Sequence, residues 1–231
     1  MKSITETDEG FVCEISAPCF SRLNNEEIEL IRESKTQVLF RKGDTLTKQG
    51  AFSSYVLFMI SGIARKYIES EDGRTFNLSL VSQGEFIGLS AVFSLSKFVY
   101  SVTALTDCQV MIIEKSSLQK VIDGNGGFAM GLIKRHCEQN SELFETLNNQ
   151  LFKQMNGRLA GSLLYLNEIK HNGISVFGLL GRKDIAEFAG ISTESAVKLL
   201  KTFDKEGIIE LHDKNIEIIK PEVLREIWKR G

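Results

Sequence analysis

Residues 182–200 carry the side chains with the clearest chemical potential, and their types suit the recognition of nucleic acid. A glutamate such as Glu194 can accept a hydrogen bond from the amino group of cytosine, and Lys198 can donate one to guanine. Arg182 and Lys183 are cations of the kind that bind phosphate groups. The predicted DNA contacts are Arg182, Lys183, Ser192, Thr193, Glu194, Ser195, Lys198 and Lys201. The alternative is that these side chains belong to ordinary solvated helix faces.

Two short helices joined by a tight turn are predicted to position these side chains. The first helix covers residues 182–189, and Ser192 caps a second helix that continues to about residue 205. Ala186 lets the two helix axes approach each other, and Gly190 tolerates the positive φ angle that the turn requires. The small shared core is assigned to Ile185, Ile191, Ala196 and Leu199.

A hairpin and one further helix complete the C-terminal third of the chain. Apolar segments at 208–211 and 216–219 flank a polar turn at 213–215, and residues 157–169 have the apolar spacing of a helix. The order helix, turn, helix, hairpin predicts a winged helix-turn-helix domain over residues 154–231.

A long helix is predicted just before that domain. From about Phe128 to Phe152 there is no proline, and no glycine after Gly131. A helix of about 25 residues spans about 38 Å, more than a domain of about a hundred residues needs for its own core. One broad apolar stripe consists of Leu132, Ile133, Leu143, Phe144, Leu147 and Leu151. We therefore expect residues 116–153 to pair with a second copy of the chain, the alternative being a helix that lies across its own barrel.

The first 115 residues have the pattern of a β-roll. A helix at 21–34 comes first, with Ser21 or Asn25 as its cap. From residue 36 to 114, short apolar or alternating stretches are separated by glycine and Asp-Gly turns, as in β-hairpins. These stretches are 38–40, 55–60, 63–68, 76–81, 99–104 and 109–113. The predicted fold class is α+β, with a double-stranded β-helix, or jelly roll, followed by a dimerisation helix and a winged helix.

In this order the elements resemble the family of the cyclic-AMP receptor protein and the fumarate-nitrate reduction regulator, the CRP/FNR transcription factors of bacteria. The resemblance covers nearly the whole chain and includes residues 84–88, Gly-Glu-Phe-Ile-Gly, at the start of an effector cassette. It implies a parallel homodimer, a hinge near Lys153 and Gln154, a two-fold symmetric DNA operator and RNA polymerase as a further partner. The family's recognition helix has a glutamate followed four residues later by arginine, where this chain has Glu194 and Lys198. A lysine lacks the bidentate fork of arginine, so a related but different half-site is expected.

The resemblance places the effector pocket at Gly88, Leu89, Phe98, Val99, Leu143 and Phe144. Relatives that bind cyclic AMP have a glutamate after the cassette glycine and an arginine-serine pair in the next strand. This chain has Leu89 at the first position, Phe98 and Val99 at the other two, and no arginine between residues 74 and 135. The phosphate therefore lacks its usual clamp, and Lys97 is the nearest cation. We expect a signal other than cyclic AMP, with a small hydrophobic effector or none, and the same side chains could simply form core.

The residue pattern also disfavours a metal cofactor. Oxygen-sensing relatives hold an iron-sulfur cluster with closely spaced N-terminal cysteines and one more in the barrel. Here only Cys13 and Cys19 lie near the N-terminus, and the barrel position is occupied by Met111. Cys108 lies close by and could substitute, but an ordinary cluster needs four suitably spaced thiolates. Haem is not expected, because His136 is a lone histidine on the long helix.

The composition indicates a globular protein but does not identify its binding partner. The 231 residues are 42% hydrophobic and 25% charged, which is typical of globular proteins, and the net charge of −2 excludes a histone-like polycation. No phosphate loop, metal-ligand cluster or nucleophile with a neighbouring base is evident, so an enzyme is not expected. The absence of a long apolar run or a signal-peptide pattern predicts a cytoplasmic protein. The rival hypothesis is an effector-binding module that acts through protein–protein contacts.

Overall fold

The computed structural model describes residues 2–4, 20–93, 97–171 and 173–231. The chain forms two compact units, the first made of residues 1–69 and 80–140 and the second of residues 70–79 and 141–231. Cys13 and Cys19, on which the iron-sulfur hypothesis depends, lie outside the described residues. None of the helices that the structure describes combines the length and the apolar character needed to cross a lipid bilayer.

Nine strands in two sheets dominate the described part of the first half of the chain. They are β1 (Lys2–Ile4), β2 (Lys35–Phe40), β3 (Thr45–Thr47), β4 (Tyr55–Ser61), β5 (Ala64–Glu69), β6 (Thr75–Val81), β7 (Phe86–Ile87), β8 (Ser101–Ala104) and β9 (Cys108–Glu114). One sheet has the order β1-β2-β9-β4-β7 and the other β3-β8-β5-β6, with antiparallel neighbours such as Val38 opposite Val110. A short helix, α2 (Ser90–Phe93), follows β7. The predicted strands and the β-roll fold are confirmed.

The first helix is α1 (Asn25–Glu33), and its N-cap lies one residue before Asn25, one of the two predicted caps. Asn24 is the cap, and its side-chain oxygen accepts a hydrogen bond from the Glu27 backbone N–H at 2.9 Å. The Glu27 carboxylate in turn accepts from the Asn24 backbone N–H, also at 2.9 Å. The expectation of Ser21 or Asn25 as cap was wrong, because this reciprocal pair satisfies two backbone donors at once.

Two apolar clusters fill the first unit. One contains Leu57, Ile87, Phe98 and Val102, with Tyr55 and Tyr100 packed against it. The other is aromatic: the ring centroids of Phe20 and Phe58 lie 5.0 Å apart, and those of Phe58 and Phe86 lie 4.9 Å apart. Phe128 and Leu132 of the long helix belong to this second cluster. The beginning of that helix is therefore held by apolar contacts to the β-roll.

Two helices follow the last strand of the roll: α3 (Lys115–Gly124) and α4 (Gly126–Phe152). The two helices are separated at Asn125, whose side-chain oxygen accepts a hydrogen bond from the Phe128 backbone N–H at 2.9 Å. Leu132 is only 3% exposed and packs inward, so its assignment to the dimerisation stripe was wrong. Helical geometry stops at Lys153 and Gln154, where the sequence predicted the change of element.

The second unit contains a winged helix-turn-helix. Its remaining elements are α5 (Met155–Glu168), β10 (Lys170–His171), β11 (Ile174–Ser175), a 3-10 turn (Val176–Leu179), α6 (Arg182–Ala189), α7 (Thr193–Lys205), β12 (Ile209–His212), β13 (Asn215–Ile218) and α8 (Pro221–Arg230). β12 and β13 pair as an antiparallel wing with Leu211 opposite Ile216. The boundaries of α6 are as predicted, whereas the wing turn is one residue shorter than predicted, because Asn215 already belongs to β13.

The terminal helix α8 is an element that the sequence analysis missed. Pro221 opens it at a first-turn position, and its apolar face packs against α5. Gly161 makes this approach possible, since a Cβ atom there would lie 2.9 Å from the Trp228 ring. The Trp228 indole N–H donates to the Asn149 side-chain oxygen at 2.7 Å, so α8 also holds the end of α4.

Candidate nucleic-acid interface

The turn between α6 and α7 has the geometry that the sequence predicted. Gly190 is in the left-handed region at φ 60°, and its N–H donates to the Ala186 carbonyl. A Cβ atom at this position would collide with the Gln150 side chain. Ile185 and Ala196 are fully buried in the shared core. The other two predicted core residues, Ile191 and Leu199, are half-buried, and the neighbouring Leu200, which the sequence analysis did not assign to the core, is fully buried.

The serines at the start of α7 are engaged with each other. Ser192 is the N-cap, and its hydroxyl oxygen accepts from the Ser195 backbone N–H at 3.1 Å. Its hydroxyl also lies 2.9 Å from the Ser195 hydroxyl. Ser192 therefore fixes where α7 begins, while Thr193 and Glu194 beside it are exposed.

One exposed face of α7 carries a row of charges opposite its buried face. Glu194, Lys198 and Lys201 lie at positions i, i+4 and i+7, and Lys205 extends the row by one turn. All four side chains are exposed, and none of these lysines has a salt-bridge partner among the described residues. Lys205 was missed by the sequence analysis, although its spacing from Lys198 and Lys201 could have revealed it. This face presents one acceptor and three unpaired cations to solvent.

Arg182 contacts the wing of its own chain, and its assignment to DNA stays a prediction. Its guanidinium is half-buried, and one of its N–H groups donates to the backbone carbonyl of Asp213 at the wing tip, at 2.9 Å. Asp213 has a φ of 48°, so the arginine holds a wing residue in a left-handed conformation. Burial lowers the pKa of Arg182. Lys183 is exposed, its ammonium lies 3.7 Å from a Glu187 carboxylate oxygen, and its assignment to a phosphate stays a prediction.

The four effector residues predicted in the first unit have different surroundings. Phe98 is 4% exposed and belongs to the cluster with Ile87, whereas Leu89 packs against the other cluster and Val99 is 46% exposed. A Cβ atom on Gly88, whose φ is +81°, would lie 2.5 Å from the Phe98 ring. The neighbouring Gly88 N–H donates to the Tyr100 hydroxyl at 2.9 Å, and burial raises the pKa of Tyr100.

Leu143 and Phe144, the two effector residues predicted on α4, belong to the second unit. Both are exposed, and Phe144 is the more exposed of the two. The assignment of an effector to these six residues stays a prediction.

Metal-binding side chains meet at one exposed place among the described residues. His212 Nε2 on the wing lies 3.2 Å from a Glu210 oxygen and 3.6 Å from a Glu217 oxygen. His136, considered above as a haem ligand, is exposed on α4.

Cys108 is expected to resist alkylation in the folded protein at neutral pH. Its thiol donates to the Ile63 carbonyl at 3.3 Å, and burial raises its pKa to about 11. The folded thiol therefore stays protonated at neutral pH. Because only the thiolate reacts with an alkylating reagent, Cys108 is inert until the pH approaches that value. Iodoacetamide labelling followed by mass spectrometry should modify Cys108 in urea and spare it in buffer. Equal labelling in both conditions would contradict the buried, protonated thiol.

Comparison with known sequences identifies both halves of the chain. Residues 37–125 match the cyclic nucleotide-binding domain, and residues 157–227 match the Crp-like helix-turn-helix domain. The cAMP-activated global transcriptional regulator CRP of Salmonella typhimurium is 27% identical over 180 residues, which cover 75% of this chain and 85% of that protein. The chain belongs to the CRP/FNR family of transcription factors.

Two further relatives agree with membership of the CRP/FNR family. The Anaerobic regulatory protein of Bacillus subtilis is 22% identical over 196 residues, which cover 83% of this chain and 82% of that protein. The solved structure of FixK2 from Bradyrhizobium japonicum superposes with a TM-score of 0.74 at 20% identity, over 84% of this chain and 96% of the other. The fold is thus that of the family, and the chain is a DNA-binding transcription regulator of CRP/FNR type.

Proposed function

We propose that this CRP/FNR protein is a homodimer that binds a two-fold symmetric DNA site through α7 and responds to a signal other than cyclic AMP. The observation that carries the DNA-reading part is the exposed row on α7. Glu194 and Lys198 can read base edges from the N-terminal half of the helix, and Lys201 and Lys205 can pair with phosphates. RNA polymerase as a partner and a cytoplasmic location belong to the same proposal.

The dimer is supported by a seam of exposed residues along α4. Their spacing alternates between three and four residues, which is the repeat of a two-stranded coiled coil. The seam consists of Met130, Ile133, Cys137, Asn140, Phe144, Leu147 and Leu151. All seven are exposed in the single chain, and five of them are large apolar residues. A second α4 would cover these side chains, and the polar Asn140 inside the seam would fix the register.

The insensitivity to cyclic AMP is supported by the side chains near the cassette glycine. The Phe98 ring lies against Gly88, and the Gly88 N–H is already bonded to Tyr100. Lys97 is the only cation among the described residues from 86 to 104. A cyclic phosphate entering here would have to displace a buried aromatic ring without gaining an arginine partner. A small hydrophobic effector, or none, is compatible with the same residues.

Selection of binding sites from random duplexes tests this proposal. The enriched sites should be inverted repeats whose half-sites are about 34 Å apart, one helical turn of DNA. Affinity for such a site should fall steeply with salt, and adding cyclic AMP should change it by less than about twofold. Enrichment of no sequence would contradict DNA reading and favour a protein-docking module. A large increase in affinity with cyclic AMP would contradict the proposed signal alone.

A further inference from the structure

A cavity of about 230 Å³ lies within the second unit, and the proposed function makes no use of it. Its walls come from the C-terminal half of α4, from α5, α6 and α8, and from residues 77–79 of β6, all of which belong to that unit. The larger apolar side chains on the wall are Leu164, Tyr165, Phe188 and Trp228. This volume is somewhat below the range of about 300–1,000 Å³ that holds drug-sized ligands, so a single-ring molecule matches its size.

The cavity lies on the side of α4 opposite to the dimer seam. Its α4 residues include Glu142, Glu145 and Asn149, which share a helix face by their spacing of three and four residues. The seam residues Phe144 and Leu147 point about half a turn away from that face. A second copy of α4 on the seam would leave the cavity open to a ligand.

Asn77 leaves a buried acceptor unsatisfied at the cavity wall. The residue is 1% exposed, and its side-chain N–H donates to the Asp184 carbonyl at 3.0 Å. Because a carbonyl can only accept, this contact fixes which side-chain atom of Asn77 is oxygen. That oxygen has no hydrogen-bond partner among the described residues. A buried acceptor without a partner is costly, so the wall would gain from a ligand that donates a hydrogen bond.

The charged side chains around the cavity favour a cation. Glu142, Glu145 and Glu168 supply three carboxylates, and Arg225 supplies one guanidinium. None of these four groups has a salt-bridge partner among the described residues. The resulting excess of two negative charges attracts a positive ligand and repels an anion such as a nucleotide phosphate.

We propose that this cavity binds a small aromatic amine in its protonated form. The ring packs among Trp228, Phe188 and Leu164, and the ammonium group faces the carboxylates and donates hydrogen bonds to the wall. The site adjoins both α4 and α5, on either side of the break at Lys153 and Gln154. This binding site is independent of the proposed function, because its occupancy can be measured without DNA.

Tryptophan fluorescence reports directly on this site, because Trp228 is the only tryptophan of the chain. Titration of the full-length protein with phenethylamine, excited at the red edge of indole absorption, should change the emission saturably. The neutral isostere 2-phenylethanol should bind about fivefold more weakly or worse, and phenylacetate more weakly still. Saturable binding of phenylacetate as tight as that of phenethylamine, or no saturable response to the amine, would overturn the proposal.

Variants distinguish a specific binding site from a nonspecific change in tryptophan fluorescence. The triple variant Glu142→Gln, Glu145→Gln, Glu168→Gln changes exposed side chains and should abolish the preference for the amine over the alcohol. Asn77→Ala should weaken phenethylamine by about fivefold, since it removes the buried acceptor. Glu222→Gln is the matched control, because Glu222 lies on α8 outside the cavity lining and should leave the titration unchanged. A triple variant that titrates as the unmodified protein does would exclude the amine site.

Discussion

Replacing Phe144 and Leu147 with glutamate is expected to convert the protein from a dimer to a folded monomer. Binding to a DNA site with two half-sites should then weaken by more than about a hundredfold, because the second half-site is no longer bound by a tethered partner. The two side chains are 64% and 45% exposed in the single chain, so they contribute little to its own core. In the proposed seam they occupy central positions, where four buried carboxylates per dimer would face one another.

The dimer prediction is measured by sedimentation equilibrium together with DNA titration. The unmodified protein should sediment as a dimer, and the double variant should sediment as a monomer with an unchanged circular dichroism spectrum. Phe152→Glu is a matched control, because Phe152 is 76% exposed but lies off the three-four repeat. A double variant that remains dimeric would exclude the α4 seam as the interface.

Cys137 provides an independent test of helix direction, because it lies on the seam between Ile133 and Asn140. In a parallel dimer the two copies of Cys137 face each other near the two-fold axis. In a background with Cys13 and Cys19 changed to serine, mild oxidation should therefore cross-link the dimer, and the glutamate double variant should not cross-link. Absence of a cross-link in a dimeric protein would argue for antiparallel helices.

The secondary structure of this chain could be predicted well where turn-forming residues and the spacing of apolar residues indicate the same element boundaries. Glycine and Asp-Gly turns separate the strands of the β-roll, and Gly190 and Ser192 mark the turn and cap of the helix pair. These signals are local, because a positive φ or a capping hydroxyl is required at one residue whatever packs nearby. The helix pair was therefore located to within a residue from the sequence alone.

The partners of individual side chains could not be predicted in the same way. Leu132 and Ile133 are neighbours on α4, yet one is buried in the β-roll cluster and the other is exposed on the seam. The spacing of the apolar residues in a broad stripe does not predict which edge of the stripe packs against the chain's own core. The contact between Arg182 and the carbonyl of Asp213 could not be predicted, because a backbone acceptor has no sequence signal.

The helix α8 was missed for a related reason. It follows directly after the wing, and the predicted order of helix, turn, helix and hairpin already formed a complete winged-helix domain without it. Its sequence, Pro221 to Arg230, is rich in charge. The Trp228 ring packs against Gly161 of α5, and the backbone of Gly231, just after α8, packs against Gly157. A glycine inside a helix costs stability, and the compensating contact lies about seventy residues further along the chain. The two helix glycines were thus a signal that needed the structure for its interpretation.

Removal of Lys198 is expected to affect DNA binding differently from removal of Lys201 and Lys205. Changing Lys201 and Lys205 to glutamine should weaken binding to all duplexes by similar factors, because phosphates carry no sequence information. If each lysine neutralises one phosphate, a dimer loses four contacts, and the slope of log affinity against log salt should fall by about 3 to 4. At 0.1 M salt the affinity loss should exceed about a hundredfold.

Lys198→Ala should instead act on base preference. A lysine that donates to guanine discriminates that base by about 1–3 kcal/mol, so the variant should bind the selected site and its guanine-substituted derivative with nearly equal affinity. Glu194 should remain selective for its own base pair in this background, since the two side chains are one helical turn apart. Lys229→Gln is the control for charge alone, because Lys229 lies on α8 and should change neither the salt slope nor the selected sequence. Uniform weakening by Lys198→Ala, with base preference intact, would assign that lysine to the phosphate backbone and leave Glu194 as the reader on this face of α7.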